Sequence, residues 1–260
     1  MLNILVCVKQ VPDIDLVRMD PETGNLVRTG VPSLMNPLDT NALEAAIRTK
    51  EQYGGTVTTI TMGPPAAEAV LREALSVGAD RAILASGREF GGADTLSTSY
   101  VIVQAAKQFG DYDLIFCGKQ TIDGDTAQVG PAIAEHMGIP HAAWVSKLEV
   151  NGDGIDVEQQ LQSVVETAHM PFPCLVTVEQ DIMMPRLPSL KKEREIKDKP
   201  IHIQGLDTFL DTNPDHYGLT GSPTQVERIF PPDNHVEKET WQDGDLAQKA
   251  IDTLRKWKFI

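Results

Sequence analysis

The stretch from Leu114 to Gly130 reads LIFCGKQTIDGDTAQVG, and it is the part of the chain that decides the fold. Its first four residues form an apolar run, which is typical of a buried strand. Val129, Ile133 and Met137 follow at helical spacing, so a helix is expected directly after the loop. A loop that leaves a strand and enters a helix is where open α/β sheets bind nucleotides.

The loop carries residues suited to phosphate contact, although it matches no standard nucleotide fingerprint. Gly118, Gly124 and Gly130 allow tight turns and close approach of the backbone. Thr126, or Asp125 before it, is predicted to cap the next helix and help direct its first amides at an anion. The stretch contains neither GxGxxG nor the Gly-Lys-Ser/Thr of a P-loop. An acidic surface turn with a helix cap is therefore the alternative interpretation.

The composition limits the classes of function. The chain has 260 residues, of which 41% are hydrophobic, enough for one large domain or a domain with an appendage. The net charge of −14 gives no general attraction to nucleic acid or to anionic membranes. No apolar run approaches the ~20 residues of a membrane helix, and the N-terminus shows no secretion signal. We therefore expect a cytoplasmic protein with no nucleic-acid partner and no membrane insertion.

Cysteine and histidine spacing predicts neither a metal site nor a hydrolytic site. Cys7, Cys117 and Cys174 lie within or at the ends of apolar strand-like runs, without a CxxC pair. Their odd number and their setting favour buried reduced thiols. The six histidines are scattered without metal-ligand spacing, and no residue is predicted to be catalytic.

Strand-like runs alternate with helical patterns through the first half of the chain. The predicted strands are residues 3–8, 56–62, 81–85 and 114–117. Helices are predicted to start at Pro37 with Asn36 as the cap, at Pro64, and at Thr95. A βαβα succession requires a mostly parallel sheet covered by helices. The predicted fold class is therefore α/β, with a mostly parallel, doubly wound, Rossmann-like sheet.

The second half of the chain follows a different pattern. Strands predicted at 143–150, 155–161 and 174–178 extend the sheet, and a polar, proline-rich segment runs from 185 to about 233. Such a segment is too long for an ordinary loop, so it is predicted to be an extended arm. An amphipathic helix ends the chain, with an apolar stripe formed by Leu246, Ala250, Leu254 and Trp257. We predict an α/β domain over 1–189 and an arm with a helix over 190–260. A flexible tail whose helix docks on its own core is the alternative.

Several separated motifs, in order, resemble the β subunit of electron transfer flavoproteins over nearly the whole chain. They are Asn3–Asp13 (NILVCVKQVPD), Met35–Asp39 (MNPLD), Thr61–Pro64 (TMGP), Ala74–Arg81 (ALSVGADR) and the Gly118–Gly130 loop. The resemblance implies an adenine-nucleotide-hydrolase-like fold. It also implies an obligate heterodimer, in which the arm and the terminal helix pack on a larger α subunit.

The resemblance also implies a nucleotide pocket built from four places, each at or just after a strand's C-terminal end. The implied cofactor-binding residues are Cys7, Asn36, Pro37, Leu38, Asp39, Met62, Gly118, Lys119, Gln120, Thr121, Ile122, Asp123, Gly124, Asp125, Thr126, Ala127, Gln128 and Val129. Asp123 and Asp125 are expected to brace the loop or bind ribose, while amides and Lys119 face phosphates. Asn36 and Asp39 have an alternative role as helix caps, Met62 as a core residue, and Lys119 as a solvated surface residue.

A second candidate segment is Gly91-Gly92-Ala93-Asp94-Thr95, directly before a predicted helix that Thr95 is expected to cap. Considered alone it is an ordinary loop and cap. In the family this stretch resembles the electron-bifurcating members of anaerobic caffeyl-CoA or crotonyl-CoA type reductase complexes. Those members place a second FAD there beside an NADH site, whereas simple carriers bind AMP in the β subunit. Gly91, Gly92, Asp94 and Thr95 are therefore added to the predicted cofactor-binding residues.

The segment Asp181–Leu187 resembles the family's recognition loop, which presents an aliphatic anchor to an acyl-CoA dehydrogenase. Ile182 is predicted as the anchor, with Met183 beside it; burial of these residues in the core is the alternative. The stretch Gln159–Glu166 departs from the family, because glutamines replace an arginine and acidic residues and a glycine pair is missing. A flavin-adjacent role for that stretch is therefore not carried over.

The resemblance implies a subunit of an NADH-dependent, flavin-based electron-bifurcating acyl-CoA reductase complex. FAD would take electrons from NADH and divide them between ferredoxin or flavodoxin and an enoyl-CoA-reducing acyl-CoA dehydrogenase. The first alternative is a non-bifurcating carrier with structural AMP. The second is an adenine-nucleotide-binding regulatory module similar to universal stress proteins, against which the long arm and the Ile182 loop argue.

Overall fold

The structure is a computed structural model that describes residues 1–13, 18–19, 26–27, 31–225 and 238–260. The strands are β1 (Leu2–Cys7), β2 (Gln10–Pro12), β3 (Arg18–Met19), β4 (Leu26–Val27), β5 (Ser33–Met35), β6 (Gly55–Met62), β7 (Arg81–Ala85), β8 (Leu114–Gly118), β9 (His141–Asn151), β10 (Gly154–Gln160), β11 (Val165–Pro171), β12 (Cys174–Val178) and β13 (His202–Gln204). The α-helices are α1 (Pro37–Tyr53), α2 (Glu68–Val77), α3 (Thr95–Lys107), α4 (Val129–Met137), α5 (Leu190–Glu195) and α6 (Leu246–Lys256).

One large sheet organises these elements. Its nine strands lie in the order β11-β10-β9-β12-β8-β1-β6-β7-β13. Seven neighbouring strands are mutually parallel, namely β9, β12, β8, β1, β6, β7 and β13. Strand β10 is antiparallel to both of its neighbours, β9 and β11. The predicted α/β class with a mostly parallel sheet is confirmed.

Helices cover both faces of the sheet, and β1 shows how the sequence produces this. Side chains alternate across a strand, so neighbouring residues enter different layers. Ile4 and Val6 pack in the cluster formed with α1 and α2. Leu5 and Cys7 pack in the opposite cluster with α3 and α4. Apolar residues on both faces are what a doubly covered parallel sheet requires.

The antiparallel extension contains a strand that the sequence pattern did not predict. Strand β11, Val165–Pro171, pairs with β10 along its whole length. Most of its side chains are exposed, so it lacks the apolar run by which the other strands were recognised. Val164 and Val165 are each 56% exposed at its start.

Part of the predicted arm packs against the α/β domain. Strand β13 is the edge strand beside β7, in register from His202 opposite Ile83. Phe209 and Tyr217 are buried in the same cluster as α3. The division at residue 189 stays a prediction, and residues 226–233 of the predicted arm lie outside the described residues.

The terminal helix α6 confirms the amphipathic pattern at the chain's end. Asp245 caps it, since its side chain accepts the amide of Gln248. No residue of α6 is buried, and Leu254 and Trp257 are 39% and 64% exposed. Its apolar stripe is therefore not buried by any of the residues that the structure describes. Among the helices described, none has the length and apolarity needed to cross a bilayer.

Candidate nucleotide-binding site

The predicted loop lies at the point where the chain reverses its direction of winding across the sheet. From β1 the chain runs through α1 to β6 and β7 on one side, and α3 then carries it back to β8 on the other side of β1. The gap between β1 and β8 is thus a topological switch point, where ligands bind in open α/β sheets. Cys7 ends β1 and Gly118 ends β8.

Gly118 lets the first turn of α1 approach the end of β8. A Cβ at this position would lie 2.8 Å from the carbonyl carbon of Leu38 and nearer still to Oδ1 of Asp39. No side chain fits there without displacing α1. The Gly118 to Val129 loop and the Asn36–Asp39 segment are therefore brought together, as predicted for the pocket.

Asp39 ties the ends of the two central strands. Its Oδ2 accepts the amide of Lys9, just after β1, at 2.8 Å, and its Oδ1 lies close against Gly118 at the end of β8. The residue is only 5% exposed. Burial raises the pKa of Asp39 to about 7, against the opposing effect of hydrogen bonds from Asn36 and Lys9.

Asn36 holds the loop rather than the helix that follows it. It is fully buried at the N-cap position of α1, yet its side chain makes no capping bond. Its Nδ2 donates to the carbonyl of Gln120 at 2.9 Å, and its Oδ1 accepts the amide of Ile122 at 3.2 Å. Asn36 thus occupies the predicted N-cap position, but its side chain bonds the loop instead of α1. The loop presents both a donor and an acceptor, which an amide side chain satisfies together.

A salt bridge from the end of β1 closes the loop further. Lys9 Nζ lies 2.8 Å from the carboxylate of Asp123. Burial acts to raise the pKa of Asp123, but hydrogen bonds from Lys9 and Thr121 outweigh it and hold the pKa below its usual value. Gln120 donates to Asp125 within the loop. Both aspartates thus brace the loop through side chains.

Lys119 is engaged away from the predicted phosphate position. Its Nζ lies 2.9 Å from Glu179 and 5.1 Å from the centre of the Trp144 ring. To face a phosphate, this lysine would have to leave both partners. The phosphate role of Lys119 stays a prediction.

The end of the loop turns twice before α4 begins. Asp125 and Ala127 both have a φ of 54°, which puts the backbone in the left-handed region. The helix therefore starts only at Val129, with Gln128 at the N-cap position and no side-chain cap. The predicted cap by Thr126 or Asp125 is wrong for this reason. Gln128 instead accepts a hydrogen bond from Thr95 at 2.9 Å, which joins the two predicted segments.

The Gly91–Thr95 segment is held by the chain's own arm. Asp94, not the predicted Thr95, caps α3 by accepting the amides of Leu96 and Ser97. Its carboxylate also accepts the amide and hydroxyl of Thr224, and its own amide donates to Ser222 Oγ. The predicted cap by Thr95 is wrong, because Thr95 is the first helical residue and the carboxylate precedes it.

The two glycines of that segment also face the arm. The carbonyl of Gly91 accepts the amide of Leu219. Gly92 has a φ of 73°, and a Cβ there would lie 3.2 Å from the Cβ of Leu219. These glycines therefore allow close packing within this chain.

Met62 and two hydroxyls complete this edge of the sheet. Met62 packs partly buried against the α3 layer, in line with the core alternative. Thr61 Oγ1, beside it, and Ser97 Oγ, in the first turn of α3, are buried without a hydrogen-bond partner in the described chain. Sequence patterns missed both hydroxyls, and they missed Lys9, although Lys9 lies within the first family-like motif.

Comparison with known proteins identifies the family. The electron transfer flavoprotein domain matches residues 23–202. The electron transfer flavoprotein subunit beta of Clostridium acetobutylicum is 47% identical over 250 residues, which cover 96% of this chain and 93% of that protein. This chain belongs to the electron transfer flavoprotein (ETF) β-subunit family. The resemblance predicted from the motifs is confirmed.

Two further relatives are similar to this chain over most of its length. The ETF subunit beta of Megasphaera elsdenii is 43% identical over 239 residues, covering 89% of this chain and 88% of that protein. The caffeyl-CoA reductase-Etf complex subunit CarD of Acetobacterium woodii is 43% identical over 232 residues, with the same coverage of each chain. As an ETF β subunit, this chain is an electron carrier of a flavin-associated family that acts with an ETF α partner.

The segment predicted as the ETF recognition loop divides into a packed and an exposed part. Ile182 and Met183 pack partly buried against the core, and Asn41 Nδ2 donates to the carbonyls of Gln180 and Met183. Met184 and Leu187 are 88% and 87% exposed. The anchor role of Ile182 stays a prediction, although the exposed apolar surface lies at Met184 and Leu187.

Arg186 fixes the exposed part of this segment to α1. Its guanidinium contacts the carboxylates of Glu44 and Glu51, at 2.8 Å and 2.6 Å. Burial acts to raise the pKa of Glu44, but hydrogen bonds from Arg186 and Arg48 outweigh it and lower the pKa. Met184 and Leu187, on either side of Arg186 in the sequence, are therefore exposed on a segment that these ion pairs fix to α1.

Proposed function

We propose that this ETF β subunit binds FAD in the cleft between β1 and β8. With its α partner it takes electrons from NADH and divides them between ferredoxin or flavodoxin and an enoyl-CoA-reducing acyl-CoA dehydrogenase, in a cytoplasmic complex. One observation carries the proposal: the Gly118–Val129 loop is tied by Asn36, Lys9 and Asp39 to a topological switch point. Similarity to the caffeyl-CoA reductase-Etf complex subunit of Acetobacterium woodii supports the acyl-CoA reductase assignment.

The residues of the cleft fit a nucleotide. Ser97 Oγ, in the first turn of α3, is a buried polar atom without a partner in the described residues, and an unmade hydrogen bond costs free energy. A polar ligand in the cleft can supply the partner. FAD held there would supply the redox chemistry, so the chain's own task would be binding, orientation and electrostatic tuning. No side-chain acid or base is required for that task.

The non-bifurcating carrier with structural AMP remains the second candidate, and one observation favours it. The amide and the carboxylate of Asp94 are already bonded to Ser222 and Thr224. A second dinucleotide at Gly91–Thr95 would have to displace these contacts. A single nucleotide in the β1–β8 cleft would leave them intact.

Counting the nucleotides in the purified αβ complex decides between the two candidates. We expect two FAD and no AMP per heterodimer, and rapid bleaching of flavin absorbance by NADH without a dehydrogenase. One FAD with one AMP, and no response to NADH, would establish the simple carrier.

The partner surface is tested at two positions of one loop. Leu187→Ala removes an exposed aliphatic side chain. It should weaken association with the dehydrogenase by about 1–3 kcal/mol and thereby slow electron transfer to it. NADH reduction and flavin content should not change. Ile182→Ala is the matched variant, because its side chain packs on the core and should lower stability more than association. If Ile182→Ala weakened association and Leu187→Ala did not, Ile182 would be the anchor, as predicted from sequence.

The α subunit is proposed to cover the apolar stripe of α6. Leu254 and Trp257 lie exposed on that stripe, and single exposed apolar faces mark interaction sites. Leu254→Asp should abolish co-purification with the α subunit, whereas Lys249→Asp, outside the stripe, should not. Equal recovery of the heterodimer with Leu254→Asp would contradict this placement.

A further inference from the structure

Two cysteines meet at the end of the strands that border the cleft. Cys7 and Cys117 are direct partners in the parallel pairing of β1 with β8. Directly paired residues of neighbouring strands point to the same face, and both side chains lie in the α3–α4 cluster. Both thiols are free and buried. The pair is therefore a dithiol held by the sheet itself.

The position of this dithiol makes it part of the cleft. Cys7 is the last residue of β1, and Cys117 directly precedes Gly118. Lys9, two residues after Cys7, donates its amide to Asp39. A movement of either cysteine backbone is thus transmitted to the contacts that hold the loop. The first turn of α4 lies over the pair, since a Cβ on Gly130 would be 3.7 Å from Cys117 Sγ.

The geometry allows the two sulfurs to be joined. Adjacent strands lie about 4.7–4.9 Å apart, within the range of roughly 4.4–6.8 Å between Cα atoms joined by disulfides. The hydrogen bond with Cys7, together with burial, raises the pKa of Cys117. Because the thiolate is the reacting form, the pair is stored as protonated thiols that react slowly.

We propose that Cys7 and Cys117 form a two-electron redox site that a hydroperoxide oxidises to an intramolecular disulfide, with loss of nucleotide from the cleft. One thiolate attacks the peroxide, breaking the O–O bond and leaving a sulfenic acid and one water. The second thiol displaces the sulfenic oxygen as another water, so two thiols and hydrogen peroxide give one disulfide and two waters. Closing the S–S bond draws the Cβ atoms to about 3.8 Å, which displaces Lys9 and Gly118 from Asp39.

Peptide mapping tests the bond directly in the full-length chain, purified with its α subunit and treated with hydrogen peroxide. Trypsin releases the three cysteines on separate peptides, Met1–Lys9, Gln108–Lys119 and Leu148–Arg186. We expect the first two to become disulfide-linked and to separate again in dithiothreitol. Bound nucleotide should fall in parallel with the linked fraction. Cys174 lies opposite Leu114 in the pairing of β12 with β8, so it should stay out of the linked peptides.

Two variants keep the proposal open to contradiction. Cys117→Ser should prevent the linked peptide and make nucleotide retention insensitive to peroxide, whereas Cys174→Ala should behave as the unmodified chain. Sulfinic acid on separate cysteines, or a link that includes Cys174, would overturn the proposal. So would a linked pair with undiminished nucleotide. Should Cys117→Ser fail to fold, the mapping of the unmodified chain still decides the matter.

Discussion

The Gly118–Val129 loop and the Gly91–Thr95 segment look alike in sequence but are held in opposite ways. Both contain glycines and acidic residues, and each lies between a strand and a helix. The first is held by Lys9, just after β1, and by Asn36 and Asp39 at the start of α1. The second is fastened from the chain's own arm, by Ser222 and Thr224.

This difference teaches that a glycine-rich strand-to-helix loop is not by itself a phosphate site. At the β1–β8 gap, side chains from other segments hold the loop. At Gly91–Thr95, the cap and the arm use the same amides that a phosphate would need. The contact between Thr95 and Gln128 joins the two regions, so a change in one can be measured in the other.

The largest expected effect is a pH dependence that belongs to the first region. The folded pKa of Asp39 is raised from 3.8 to about 7, so the folded chain holds this proton more tightly than the unfolded chain. Its contribution favours folding below pH 3.8 and is lost as pH rises to about 7. Between pH 5 and 8 the loss is about 3 kcal/mol, from 1.36 kcal/mol per pKa unit.

Urea unfolding of the unmodified chain and of Asp39→Asn at both pH values measures this loss. The variant should lack it. The arm supplies an internal contrast, because hydrogen bonds from His216 and the Asn213 amide lower the pKa of Asp211 to about 2. Stability from Asp211 is present above pH 3.8 and is lost only as pH falls through 2. If the free energy of unfolding changed equally with pH in the unmodified chain and in Asp39→Asn, Asp39 would not be the cause of the pH dependence.

Gly118→Ala should destabilise the chain by about 2–3 kcal/mol and lower nucleotide retention, because the added Cβ overlaps α1. Gly124→Ala, in the same loop, is the matched control. Its Cβ would meet Thr121 Oγ1 at 3.5 Å, an ordinary contact. Thermal unfolding and nucleotide content of both proteins give the comparison. Similar losses at the two glycines would show that close packing of α1 on β8 is unimportant.

Asn36→Ala should cost about 2 kcal/mol, since it leaves the carbonyl of Gln120 and the amide of Ile122 without their partner. Hydrogen exchange should accelerate in residues 119–128. Asn41→Ala serves as the control on the same helix, because it releases Gln180 and Met183 instead. Faster hydrogen exchange of the loop in both variants would mean that α1 as a whole, and not Asn36 specifically, holds the loop in its conformation.

The smallest effect is expected in the second region. Thr224→Val removes one hydroxyl donor to Asp94 and should cost about 1 kcal/mol. Exchange should accelerate in residues 217–225 while loop 119–128 stays protected. Asp94→Ala removes the α3 cap as well and should cost about 1 kcal/mol more. Loss of nucleotide in Thr224→Val would make the arm part of the nucleotide site and break the contrast between the regions.

Much of this protein was predictable from its sequence because the determining forces are local. Alternating apolar runs and helical spacing predicted the strands β1, β6, β7, β8 and β12 and the helices that connect them. The order of those elements requires the doubly wound sheet, and it brings the strand ends with Cys7, Met62 and Gly118 to one edge. The amphipathic α6 was equally visible, since its stripe needs no knowledge of a partner.

Tertiary structure alone decided which groups those segments contact. The Asn36 side chain makes no capping bond to α1 because the carbonyl and amide of a loop more than 80 positions away meet both ends of it. Thr95 is not the cap because Asp94 precedes it and also binds Thr224. Strand β11 carries no apolar run because most of its side chains are exposed, and the buried Tyr217 packs against Tyr100, which is remote in sequence. Hydrogen bonds and close packing between segments remote in sequence leave no periodic signal, and these contacts make the cleft.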